Sequence, residues 1–155
     1  MAATTETDRI EKQIVLRAPR AKVWRALTTP GELSVWFGAT VAGPFTPGAR
    51  VRGPITHKGH EHLTMDFTID RVEPERLFSW RWHPHGIDPA VDYDAEPTTL
   101  VTFELHDVPE GTLLTVVESG FDGIPASRRE TAYRGNEGGW AAQMENIQKH
   151  VGESA

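Results

Sequence analysis

The amino-acid sequence predicts an α+β fold made of one strand, two short helices, an antiparallel meander and a long closing helix. Two changes of period and one choice of turn residues point to it. Apolar residues recur at steps of three and four in about residues 20–37 and again in 125–150, the spacing of amphipathic helices. From residue 39 to about 120 the period falls to two. There the runs are separated by "PFTPGA", "KG", "EPER" and "PEG", which turn a chain back on itself. A chain of 155 residues can bury one core without staples, so the reading is a single domain over residues 9–151 behind a small, polar tail of residues 1–8.

Each element has its own warrant. In "RIEKQIVLRAP" Ile10, Lys12, Ile14 and Leu16 alternate with their neighbours, as in a first strand. "PRAKVWRALTTPGELSVWFG" places Val23, Trp24 and Leu27 on one helical side. Pro30 starts a second helix that carries Leu33, Trp36 and Phe37 and stops at Gly38. "HPHGIDPAVDYDAEPT", residues 83–98, has three further prolines and no period, so it reads as a long loop within the sheet. The closing helix runs from Pro125 to His150. It contains a puzzle: Gly138 and Gly139 sit inside it and Gly135 just before them, although each interior glycine costs roughly 1 kcal/mol relative to alanine.

Composition excludes several functions. The formal charge is −6 and no basic stripe is present, which argues against nucleic acid as a partner. Without cysteine there is no disulfide framework, thiolate metal site or cysteine nucleophile. "MAATTETDRI" lacks a basic, apolar leader and no run is long enough to span a membrane, so the expected location is the cytoplasm.

Strand, two helices, meander and long helix is the element order of the helix-grip fold. The stretches "RAPRAKVWRALTTPGELSVWF", "VEPERLFSWRW", "LTVVESGF" and "GGWAAQMENI" resemble those of the activator of heat shock protein 90 ATPase homologue-like branch of the START-like (SRPBCC) superfamily. The resemblance runs in order from about Ile10 to Val151, and "ESGF...GGW" is its most specific part. It implies a curved sheet wrapped around the C-terminal helix, with an apolar cavity between them.

Hairpin register decides which side chains would line that cavity, because a slip of one residue turns a whole strand face around. Opposing Val51 to Phe67, Ile55 to Leu63 and His57 to Glu61 leaves a loop at Lys58–His60 and puts Leu63, Met65, Phe67 and Ile69 on one face. Opposing Ile69 to Trp80 and Phe67 to Trp82 extends that face, and the parity of Val72 then requires a bulge near Asp70. The last hairpin opposes Leu105 to Leu114, Phe103 to Val116 and Val101 to Glu118, which turns Glu118 inward. On the closing helix Tyr133, Asn136, Trp140, Met144, Ile147 and Val151 share one face, turned toward the sheet. The glycines beside Tyr133, Asn136 and Trp140 serve either close packing or room for a ligand.

The candidate ligand-binding residues are Met65, Phe67, Trp80, Trp82, Phe103 and Val116 from the sheet, with Glu118, and Tyr133, Asn136, Trp140 and Met144 from the helix. Trp80, Trp82 and Phe103 also read as ordinary core. Glu118 is the candidate acid or base, since a carboxylate on an apolar lining has little water around it, and His57 is its candidate assistant together with Tyr133. The alternative for Glu118 is a structural carboxylate held by Tyr133 or another donor. "HKGHEH" invites a zinc reading, but His57 faces in, His60 lies in the loop and His62 faces out, so no metal is expected. His83 and His85 read as solvated loop residues. No cofactor is expected, and no established catalytic motif is present.

The leading expectation is a module that binds a small hydrophobic molecule, aromatic ones included, between sheet and helix. The alternative is an enzyme in the same cavity with Glu118 as acid or base, since relatives in the superfamily include cyclases and hydrolases. A third class, an activator of the heat-shock ATPase, is discounted because the chain is too short for the additional N-terminal domain of the activators that give the family its name. A homodimer is left open.

Overall fold

The computed structural model describes residues 9–56, 58, 59, 61, 63–83 and 97–153. The tail at 1–8, the histidines His57, His60, His62 and His85, and most of the loop expected at 83–98 therefore lie outside the described residues.

The chain opens with strand β1 (Arg9–Leu16), followed by helices α1 (Arg20–Thr28) and α2 (Pro30–Phe37). The two helices break at Thr29, which is extended because the ring of Pro30 clashes with a helical residue before it. Gly38 ends α2 with φ +88°, a left-handed cap that a side chain would disfavour. The expected meander begins later than its period suggests. Residues 39–49 form no strand, because Pro44 and Pro47 lack the N–H that a ladder needs, and only an isolated bridge from Ala39 to Ile55 is made.

Five strands follow: β2 (Arg50–Pro54), β3 (Thr64–Glu73), β4 (Leu77–Trp82), β5 (Thr99–Val108) and β6 (Gly111–Ser119). With β1 they form one antiparallel, curved sheet in the order β1-β6-β5-β4-β3-β2. The expected registers are present: Val51 opposes Phe67, Ile69 opposes Trp80 and Val101 opposes Glu118. The register of β3 and β4 shifts between Ile69 and Arg71, where parity required a bulge. At Gly53 a Cβ would stand 1.8 Å from the carbonyl oxygen of Thr40, so only glycine lets that segment cross β2.

A short 3-10 turn (Phe121–Gly123) leads into α3 (Ala126–Glu153), which runs one turn further than the periodicity predicts. Its inner face carries Trp140, Met144, Ile147 and Val151, all buried against the sheet. Together these elements make the α+β helix-grip architecture that the sequence predicts.

Candidate functional site

Glu118 lies on β6 between Ile10 of β1 and Val101 of β5 and is fully buried. A buried carboxylate must be met by donors, and three elements supply them. Trp82, the last residue of β4, donates its indole N–H to Oε2 at 2.8 Å. Its cross-strand partner Thr99 donates a hydroxyl to the same oxygen at 2.6 Å. From α3, Trp140 donates its indole N–H to Oε1 at 2.8 Å, and the Asn136 amide spans both oxygens at 2.9 and 3.1 Å. Asn136 and Trp140 are one helical turn apart, so their side chains reach the same point.

The four partners among the described residues are neutral, and their three nitrogens can only donate. In each of these contacts a Glu118 oxygen is therefore the acceptor. Tyr133, expected as a holder of Glu118, donates to the Arg9 carbonyl oxygen at 3.0 Å and packs edge-on to Phe121. His57, the expected assistant, lies outside the described residues.

Most of the expected lining is closed core. Met65, Phe67, Trp80, Phe103, Val116 and Met144 are buried in one cluster, where Trp80 stands 4.6 Å from Phe67 and 5.1 Å from Phe103 between ring centroids. The indole N–H of Trp80 has no hydrogen-bond partner among the described residues. An opening of about 80 Å³ lies at the rim of that core, where the ends of α2 and β4 meet α3. Phe37, Trp82, Asn136, Gly139, Trp140 and Gln143 line it. Three of the expected residues, Trp82, Asn136 and Trp140, are thus brought to the cleft, and Glu118 sits beneath two of their rings.

Phe37, Gln143 and Thr99 complete the site, and sequence reasoning missed them. Gln143 could have been found from Trp140, three residues before it on the same helix face. It fastens the helices by donating to the Phe37 carbonyl oxygen at 3.0 Å.

The structure separates the two readings of the glycines. A Cβ built at Gly138 or Gly139 would meet nothing within 4 Å, so neither residue serves close packing against the sheet. Gly139 forms part of the cleft wall and keeps it open.

Among the described residues no group of histidine, aspartate and glutamate side chains is placed to hold a metal ion. The three histidines of "HKGHEH" are not among them. No helix of the described chain is long and apolar enough to cross a membrane.

A curved sheet gripping a long C-terminal helix, with two short helices after the first strand, defines a START-like (SRPBCC) protein. The chain belongs to the family of activator of Hsp90 ATPase homolog 1-like proteins, AHSA1, whose profile matches residues 17–152. Among solved structures, protein MLL2253 from Mesorhizobium loti is 26% identical, covering 95% of this chain and 98% of its own, with a TM-score of 0.75. DynU16, from the dynemicin biosynthetic locus, is also 26% identical, with a TM-score of 0.70. That match covers 93% of this chain and 47% of DynU16, so this chain spans about half of its length. The Aha1 dimer from Colwellia psychrerythraea shares the fold at 18% identity and a TM-score of 0.68, over 92% of this chain and 95% of its own. No curated protein matches the chain. Members of this fold family commonly bind hydrophobic ligands.

Proposed function

We propose that the protein binds a small, largely apolar molecule in the cleft between the ends of α2 and β4 and the middle of α3. One observation carries the reading: Phe37, Trp82 and Trp140 turn three aromatic rings to an open cleft whose helical wall is thinned at Gly139. Apolar lining with a few polar groups at its edge, here Asn136 and Gln143, is the usual make-up of a small-molecule site. At about 80 Å³ the opening seats one ring or a compact alkyl group, and the rest of a ligand lies in the open mouth. The reading carries with it one cytoplasmic START-like domain over residues 9–151. Sedimentation or light scattering decides whether that domain is monomeric or, like the Colwellia Aha1, a dimer.

Titration with the neutral fluorophore N-phenyl-1-naphthylamine tests the proposal. About one equivalent should bind and alter tryptophan emission, since Trp82 and Trp140 line the cleft. Gly139→Leu should fold normally and lose the probe, because its side chain enters open space in the cleft rather than the core. Probe binding that persists at full strength in this variant would place the ligand elsewhere.

The buried Glu118 favours a second reading, an enzyme of the same cleft with Glu118 as acid or base. Its test is product formation, followed by mass spectrometry, from candidate aromatic substrates. Such turnover should fall in Glu118→Gln by about 10²- to 10⁴-fold, the usual worth of a general acid or base.

A further inference from the structure

The cleft has an electrostatic character beyond its apolar lining. The rings of Phe37, Trp82 and Trp140 approach one another pairwise, with centroids 6.2 Å (Phe37–Trp82), 6.2 Å (Phe37–Trp140) and 5.8 Å (Trp82–Trp140) apart. All three border the same opening. Phe37 stands edge-to-face to both indoles, at 63° and 70°, and the indoles are tilted by 32° to one another, so a ring face that borders the opening favours positive charge while a ring edge does not.

Glu118 strengthens that field. Both indole N–H groups point at its carboxylate at 2.8 Å, which pushes electron density from each N–H toward its ring. The carboxylate is fully buried and, among the described residues, has only the neutral partners Trp82, Thr99, Asn136 and Trp140. Its charge has no cationic counterpart there, and in a low-dielectric interior such a charge acts over a longer range than in water. Lys12, two residues along β1 from Ile10, which opposes Glu118, faces Glu137 at 3.9 Å. None of the described lining residues carries a charge of its own.

We propose that the ligand of this cleft carries a substituted ammonium group, seated against Phe37, Trp82 and Trp140 with Glu118 as a buried counter-charge behind the two indoles. The inference rests on the reading of the cleft as a ligand site. Substitution on nitrogen matters, because a bare ammonium or metal cation keeps too strong a hydration shell to exchange it for ring faces. An alkylated nitrogen spreads its charge over carbon and is dehydrated readily. The opening suits a compact headgroup of this kind, whereas an anionic ligand would meet the field of Glu118.

The test compares choline with its neutral isostere 3,3-dimethyl-1-butanol, which has the same shape and hydroxyl but no charge. Both are titrated into the full chain at low salt while the indole N–H resonances of Trp82 and Trp140 are followed by NMR. Choline should bind roughly five- to thirtyfold more tightly, the range of a desolvated cation–π contact. Phe37→Leu keeps the apolar lining and touches none of the Glu118 bonds. It should weaken choline by a larger factor than the isostere, so the ratio of the two affinities falls, and an unchanged ratio would count against the ring contact. Equal affinity for the two compounds would overturn the ammonium inference and leave the apolar cleft standing. The same holds if neither compound binds while N-phenyl-1-naphthylamine still does and Gly139→Leu blocks it. If none of the three binds, both the inference and the ligand-site reading fall.

Discussion

Glu118 and Trp80 are opposite solutions to the burial of a polar group. Glu118 has donors on both oxygens, so exchanging one oxygen for an amide group turns N–H toward N–H. In Glu118→Gln the amide nitrogen meets either Trp140 and Asn136 or Trp82, Thr99 and Asn136; the Thr99 hydroxyl can rotate and the Asn136 amide can flip to accept, but in each case an indole N–H cannot. The variant should therefore lose about 1–3 kcal/mol, the cost of a buried donor left without a partner. Chemical denaturation reads this directly, and an unchanged midpoint would show that the donor cluster is not holding the fold. Trp80 has the reverse problem, since its indole N–H is buried and, among the described residues, unpaired. Trp80→Phe and Trp140→Phe delete the same atoms. The first also removes an orphaned donor, and the second removes a charge-assisted bond. Trp140→Phe should consequently be the more destabilising of the two by at least about 1 kcal/mol. The reverse order in paired thermal melts would mean that void volume, not hydrogen bonding, dominates at these positions.

In helix α3, Gly138 and Gly139 sit where nothing needs them for packing, so their cost to the helix is recoverable. Gly138→Ala should raise stability by about 0.5–1 kcal/mol, because the added methyl meets open space and the unfolded chain loses freedom. A fall in melting temperature would show that the backbone at this point depends on glycine. The β2–β3 hairpin holds a different kind of support. Arg50 donates twice to Asp66 across the pair, at 3.0 and 2.7 Å, and Arg52 stands 3.4 Å away. The hydrogen-bonded Arg50 guanidinium holds the Asp66 carboxyl below its ordinary value of 3.8, against partial burial, which pushes it up. A carboxyl with a lowered folded-state pKa binds fewer protons folded than unfolded. Its contribution is thus complete at pH values above 3.8 and is lost as pH falls through the lower folded value. Asp66→Asn should be less stable than the parent at neutral pH, with the gap closing on the acid side of 3.8. A gap of constant size from pH 7 to pH 2.5 would assign the effect to packing rather than charge.

At the scale of the whole molecule, what the sequence makes legible is what alternation and turn residues control. The pairing of Val101 with Glu118, the bulge beside Asp70 and the inner face of α3 all follow from parity and from steps of three and four. The cleft was only partly legible, because it depends on how separate elements dock. Thr99 faces Trp82 across an interval of sixteen residues that no period spans. Phe37 reaches the site only because the end of α2 packs on α3 through Gln143. The opening at the rim was not legible for the same reason: residues on a shared face do not reveal whether facing layers close on each other. Where they do close, Glu118 is the joint. It sits on β6, an inner strand between β1 and β5, and its donors come from the end of β4, the start of β5 and two turns of α3. Sheet and helix therefore share one buried charge, and removing its partners should loosen both together. In native-state hydrogen exchange, the paired change Asn136→Ala with Trp140→Phe should lower protection in β6, in β5 and along α3 by a common free energy. The β2–β3 hairpin, at the far edge of the sheet, should open by its own smaller step in parent and variant alike. If the loss were confined to α3 while β6 kept its protection, the helix would be docked by its apolar face alone and the carboxylate would not couple the two layers.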